Sequence, residues 1–224
     1  MGSDDKKAVI FDLDGVLVDT SRFHKQAWYE LADKENFRMS DEFFSRTFGM
    51  QNYQIIPLLA GKNLTEKEIE RMSLWKENRY RQYVKGKLSL APGAGELIEK
   101  LREDGFKTAI GTSTPRANLE FMLGEMNAEK YFDALVTGED VNKGKPAPDT
   151  FLKAAERLNV RPVLCVVMED AVQGVQAGKN AGMTVIAVTT TREREDLKQA
   201  DLIVDSLTEL SVNEFIKLLQ ERNK

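Results

Sequence analysis

The chain has 224 residues, 42% of them hydrophobic and 30% charged, with a formal net charge of −4. That length suits one generous domain or one domain with an insert, and the mild acidity leaves no overall basic field to hold nucleic acid. A single cysteine, Cys165, excludes an internal disulfide and a cysteine-built zinc site; lying in "VLCVVM", it is expected to be a buried, inert thiol.

No apolar run approaches the ~20 residues needed to span a bilayer, and no signal-peptide-like apolar segment opens the chain. The expectation is a soluble cytoplasmic protein with no membrane contact. The opening "MGSDDKK" is short and polar, either native or a cloning remnant. The tail Glu221–Lys224 reads as a frayed helix end, not a basic arm.

The first element is "AVIF" (8–11), an apolar run that ends abruptly in Asp12-Leu13-Asp14-Gly15, with a third acid at Asp19. From Thr20 to about Ser89 only helices are expected. "SRFHKQAWYELADK" puts Phe23, Ala27 and Leu31 on one face, with Trp28 beside them. "SDEFFSRTF" opens with Ser40, and "NYQIIPLLAG" carries a proline and ends in Gly61. "TEKEIERMSLWKENRYRQYVKG" opens with a capping box, Thr65 with Glu68, and ends at Gly86.

Beyond it, strands and helices alternate. "TAIG" (108–111), "ALVT" (134–137), "LCVVM" (164–168), "TVIAV" (184–188) and "LIV" (202–204) are short and apolar, as strands covered on both faces are. Between them "GAGELIEKLRED" follows Pro92 and stops at Gly105, "DTFLKAAERLN" follows Pro148, and "AVQGVQAGKNA" stops at Gly182. The glycine-rich "APGAGEL" lacks the lysine of a phosphate loop and is a helix start. This alternation predicts a doubly wound parallel α/β sheet, residues 1–20 plus 89–224, with an inserted all-helical cap, residues 21–88. A cap placed there covers the carboxyl edge of the sheet, where open α/β folds bind ligands.

Asp12, Thr112-Ser113 and Glu169-Asp170 each follow an expected strand, and Lys145 in "KGKPAPD" leads into a helix at the same edge. Four carboxylates in one crevice cannot all stay ionised unaided. Hard oxygen donors without histidine or cysteine point to Mg²⁺ rather than zinc. An ionised aspartate can be a nucleophile, a protonated one can serve a leaving oxygen, and a hydroxyl and a lysine can hold phosphoryl oxygens. These are the parts of phosphoryl transfer through an aspartyl phosphate. Taken singly, Asp12–Gly15 would be a turn and Glu169-Asp170 a helix cap.

Together, "DLDGVLVDT", Thr112-Ser113, "KGKPAPD" and "MEDAVQGVQAGKNAGM" resemble the four ordered motifs of the haloacid dehalogenase (HAD) superfamily, and the helical insert resembles the cap of its β-phosphoglucomutase-like branch. The resemblance implies that Asp12 is nucleophile and metal ligand. It implies that Asp14 is acid/base and gives its backbone carbonyl to the metal. Thr112 would bind the transferring phosphoryl group, with Ser113 as the alternative; Thr112 is chosen because it comes first after the apolar run. Lys145 would neutralise charge on Asp12 and phosphate, while Lys143 faces water. Glu169 and Asp170 would complete the Mg²⁺ site, Asp170 more directly. Asp19 is structural, bonding the loop into the cap.

On the cap side, His24 and Trp28 resemble a phosphoglucomutase segment whose histidine assists a sugar hydroxyl; the alternative is a packed or surface histidine. Lys76 resembles a lysine that binds a distal phosphate, and otherwise snorkels beside Met72 and Tyr80. Arg116 is a further substrate-binding candidate. One departure stands out: the cap arginine of β-phosphoglucomutases is missing from "FGMQNYQ", and Arg46 is wrongly placed to replace it. The expected function is therefore a Mg²⁺-dependent phosphatase, monomeric, acting on a small phosphorylated metabolite such as a sugar phosphate. The rivals are β-phosphoglucomutase, inorganic pyrophosphatase and a non-catalytic binding protein on the same fold. A dehalogenase proper is disfavoured, since Asp14 would have no leaving oxygen to protonate.

Overall fold

Strands buried at nearly every residue, covered on both faces, build the sheet. In the computed structural model, which describes residues 6–222, the strands are β1 (Ala8–Phe11), β2 (Lys107–Gly111), β3 (Ala134–Val136), β4 (Cys165–Glu169), β5 (Thr184–Val188) and β6 (Leu202–Val204). All pair in parallel in the order β3-β2-β1-β4-β5-β6. Every apolar run expected to be a strand is one, with ends shifted by at most one residue. Met1–Asp5 and Asn223–Lys224 lie outside the described residues, so the readings of the polar opening and the tail reach only to their inner ends.

Four helices form the insert that follows β1: α1 (Ser21–Lys34), α2 (Asp41–Thr47), α3 (Asn52–Ala60) and α4 (Glu66–Val84). Their boundaries have local causes. Ser40 accepts the Phe43 N–H at 3.1 Å to cap α2. Thr65 and Glu68 form the reciprocal box that starts α4. Gly61, in the left-handed region, ends α3. The helices enclose their own apolar cluster of Trp28, Leu31, Phe44, Phe48, Ile56 and Met72.

The remaining helices are α5 (Ala94–Glu103), α6 (Arg116–Met126), α7 (Asp149–Leu158), α8 (Val172–Asn180) and α9 (Val212–Arg222). Successive strand residues point to opposite faces. Val9, Phe11, Val166 and Met168 meet α5, α6 and α9, while Ala8, Ile10, Cys165 and Val167 meet α7 and α8. Burial pushes the Cys165 thiol up to about 12, which leaves it inert. Among the described residues no helix is long and apolar enough to cross a membrane.

Candidate active site

Register brings the strand ends together. Phe11 is level with Ile110 on β2 and Met168 on β4. Asp12, Thr112 and Glu169 therefore leave the sheet side by side at the point where strand order reverses. The Asp12 N–H still donates to Met168 O at 2.9 Å, and the Thr112 N–H to Val136 O at 3.0 Å. Lys145, buried in the loop before α7, places Nζ 2.6 Å from Asp12 Oδ1 and 2.6 Å from Glu169 Oε1. The other Glu169 oxygen accepts the Asp170 and Ala171 N–H groups at 2.8 and 2.9 Å. Asp170 accepts from the Thr191 hydroxyl. Two glycines let the acids approach. A Cβ at Gly15, whose φ is +89°, would overlap the Asp170 carboxylate, and one at Gly174 would overlap that of Glu169.

Asp12, Glu169 and Asp170 offer oxygen atoms that all lie within 4.8 Å of one another. Three buried carboxylates face one ammonium, which leaves two negative charges uncompensated. Burial, with repulsion from Glu169, pushes Asp12 upward against the pull of Lys145. Burial, then Glu169 and Asp12, push Asp170 well up. Lys145 is itself desolvated, but its carboxylate neighbours outweigh burial and hold it charged. A compact set of hard oxygen donors short of two positive charges fits a divalent cation such as Mg²⁺.

Asp14 stands apart from this cluster. Its Oδ2 accepts from Thr114 Oγ1 at 2.5 Å; its Oδ1 accepts from the Thr20 hydroxyl and lies 3.3 Å from His24 Nε2. Burial raises the Asp14 carboxyl, but His24 and the two threonine hydroxyls outweigh it and hold the group below the usual carboxylate range.

The helical insert forms the opposite wall. His24 stacks on Tyr80, with ring centres 3.9 Å apart, and its Nδ1 is 2.7 Å from Lys76 Nζ. Lys76 lies over the Trp28 ring and 2.9 Å from Glu77 Oε1. Asn52 Nδ2 donates to the same Glu77 oxygen at 2.6 Å, and Asn118 Nδ2 to the other at 2.5 Å. Burial raises the Glu77 carboxyl, but Lys76 and the amide of Asn52 outweigh it, so it stays ionised. Gln51 donates to Gly138 O at 2.7 Å and Gly144 N donates to Tyr53 Oη at 3.2 Å, which ties the wall to the sheet loops. The cavity between cap and sheet measures about 40 Å³ and is partly open. That is room for a few waters and too little for a whole sugar phosphate, so side chains or the cap must move to admit one.

Residues 9–188 match the haloacid dehalogenase-like hydrolase family. The chain belongs to that family. A phosphorylated carbohydrates phosphatase of Thermotoga maritima is 33% identical over 177 residues, covering 79% of this chain and 82% of that protein. A β-phosphoglucomutase of Bacillus subtilis is 33% identical over 213 residues, 92% of each. A crystal structure of β-phosphoglucomutase from Clostridium difficile superposes with a TM-score of 0.87 at 28% identity, over 96% of this chain and 98% of that one. Like its family, the chain is an enzyme of the hydrolase type, on a parallel sheet with a helical cap.

Of the residues singled out in the sequence, this hydrolase gathers Asp12, Asp14, Thr112, Ser113, His24 and Lys76 around the cavity, with Lys145, Glu169 and Asp170 behind Asp12. Thr112 Oγ1 accepts the Thr114 N–H at 3.1 Å, whereas the buried Ser113 Oγ has no partner. Lys76 is buried and turned inward, so it does not snorkel. Arg116 is not brought in: its guanidinium is bound to Asp140 at 2.8 Å and lies away from the cavity. Lys143 is exposed, as is Arg46, and Asp19 holds the Ser21 N–H and hydroxyl at the start of α1. Four residues were not anticipated: Thr20 and Thr114, which hold Asp14, and Asn52 and Glu77 on the cap wall. The only available signal for Glu77 was its place beside Lys76.

Proposed function

We propose that this haloacid dehalogenase-like hydrolase is a Mg²⁺-dependent phosphatase of a small phosphorylated metabolite, such as a sugar phosphate, working through an aspartyl phosphate on Asp12. The observation that carries the reading is the cluster of Asp12, Lys145, Glu169 and Asp170 at the carboxyl ends of β1 and β4, faced by threonine hydroxyls. Asp12, Glu169 and Asp170 would hold Mg²⁺, with the Asp14 carbonyl. Glu169 already uses both oxygens on Lys145 and the backbone, so Asp170 is the more direct ligand. When bound, the ion neutralises charge between nucleophile and phosphoryl oxygens.

The chain's own groups supply the rest. Lys145 opposes protonation of Asp12 and aims it, and its remaining donor can meet a phosphoryl oxygen. Thr112 or Ser113 donates to another of the equatorial oxygens. Asp14 serves both halves of the reaction. Protonated, it donates to the leaving oxygen; ionised, as its three donors hold it here, it takes a proton from the water that attacks the aspartyl phosphate. Cap closure dries the site around these groups.

The second reading is phosphomutase, supported by the β-phosphoglucomutase relatives and by the inward-facing His24 and Lys76. The two readings share Asp12 and differ in whether water or a sugar hydroxyl receives the phosphoryl group. The test is a phosphate-release screen over a panel of metabolite phosphates with and without Mg²⁺, beside a coupled assay of β-glucose-1-phosphate conversion to glucose-6-phosphate. Mg²⁺-dependent phosphate release supports the proposal; isomerisation outpacing release replaces it with the second reading.

A further inference from the structure

Glu77 lines the cavity, yet the phosphoryl chemistry has no use for it. It is 4% exposed on α4, and its oxygens are held by Asn52, Lys76 and Asn118. A buried carboxylate is tolerated only when paired and hydrogen-bonded in this way. Its partner Lys76 is the only lysine or arginine among the residues lining the cavity. The cap wall therefore presents one positive and one negative charge and no net charge. Asn52 stands where an arginine could have gripped an anion, and its amide is directed at Glu77 and Ser73.

A second observation extends the pattern outward. A cleft of about 490 Å³ adjoins the cavity and shares Asn52, Ser113 and Pro115 with it. Its lining includes Glu66, Glu70 and Glu139 and no lysine or arginine. A substrate phosphorylated at the Asp12 end would point its far end at Lys76 and Glu77, or through them into this acidic cleft. A second phosphate, with a charge of about −1.5 to −2, would meet an ammonium already paired and carboxylates on both sides.

We infer that the cap selects phosphomonoesters carrying no second anionic group and rejects bisphosphates, with Glu77 as the residue that sets this specificity. Asn52, His24 and Lys76 supply hydrogen bonds to hydroxyl groups of the accepted far end, and Glu77 supplies the repulsion that excludes the wrong one. The inference rests on the phosphatase reading and narrows it.

The test compares kcat/KM for fructose 1-phosphate and fructose 1,6-bisphosphate, each divided by the value for p-nitrophenyl phosphate, which has no charged far end. The wild type should favour the monophosphate by about tenfold or more, and Glu77→Gln, which frees Lys76, should narrow that preference by about tenfold. Lys76→Met, which leaves Glu77 unpaired, should widen it, and serves if the glutamine variant does not fold. Equal use of both substrates by the wild type overturns the inference. So does a preference that neither variant moves. Absence of Mg²⁺-dependent phosphate release from all three substrates and from the metabolite panel refutes the phosphatase reading itself.

Discussion

The Lys76 ammonium donates to Nδ1 of His24 across 2.7 Å. An ammonium has no acceptor, so the imidazole must accept there and carry its proton on Nε2, which faces Asp14 at 3.3 Å. The cap thereby supplies Asp14 with a donor whose tautomer is set by a residue of another helix. His24→Ala removes this donor but leaves Thr20 and Thr114 on the carboxylate. Phosphatase kcat should fall by about tenfold or less, well short of the loss expected for a general acid itself. Steady-state kinetics of the variant checks this; a loss as large as that of an Asp14 variant would make His24 the proton-transfer group.

Asp14→Asn should slow turnover by ~10²–10⁴, the usual worth of general acid–base catalysis. The loss should shrink for p-nitrophenyl phosphate, whose leaving group needs no proton. Rates on alkyl and nitrophenyl phosphates, measured side by side, test it. Equal losses on both would remove Asp14 from the acid role.

Asp12 and Asp170 are pushed upward by burial and like charge, and this makes stability depend on pH. A carboxyl whose folded pKa exceeds its unfolded one binds more protons when folded. Its contribution is therefore lost as pH rises from the unfolded value of 3.8 through the folded one. Asp14 works in the opposite sense, adding stability above its unfolded value and losing it as pH falls. Mg²⁺ needs the acids deprotonated and relieves their repulsion. The rise in Tm on adding Mg²⁺ should thus be small at pH 5 and grow by pH 8, and EDTA should abolish both it and activity. Asp170→Asn should lose most of the Mg²⁺ effect while the metal-free protein gains stability at pH 8. Thermal melts at the two pH values decide it; a Mg²⁺ shift independent of pH would contradict the cluster.

The acids and Lys145 were legible because each sits at a chain position with local meaning. Asp12 and Glu169 end apolar runs, and parallel strands bring such ends together. The cap helices were legible through Ser40, Thr65 and Gly61, whose capping chemistry is equally local. Glu77, Asn52, Thr20 and Thr114 were not, because their partners lie on other elements and depend on how the cap meets the sheet. Helix α6 carries only a weak periodic signal, because Gly124 interrupts it and its buried side includes Asn118 among Leu119, Met122 and Leu123. Arg116, a substrate-binding candidate in the sequence, is bound to Asp140, 24 positions on, a pairing that only the fold brings about.

Hydrolase and mutase differ in what the cap holds. A mutase releases a bisphosphate, rebinds it reversed and must keep water from the aspartyl phosphate meanwhile. With Lys76 paired to Glu77 and no arginine among the cavity-lining residues, that second grip is weak. Added glucose-1,6-bisphosphate should not activate conversion of β-glucose-1-phosphate, and the aspartyl phosphate should hydrolyse within seconds. A coupled glucose-6-phosphate assay, with and without the bisphosphate, checks both. Activation would show that the cap grips a second phosphate after all.

Everything above depends on Asp12 receiving the phosphoryl group. Asp12→Asn keeps the side chain's size and its place at the end of β1, but an amide cannot form the acyl phosphate. The measurement is phosphate release from a sugar monophosphate in Mg²⁺, wild type against Asp12→Asn, with circular dichroism confirming that both are folded. The expected result is steady release by the wild type and a loss of at least about 10³-fold in the variant. A folded variant that retains a tenth or more of the wild-type rate would contradict the assignment.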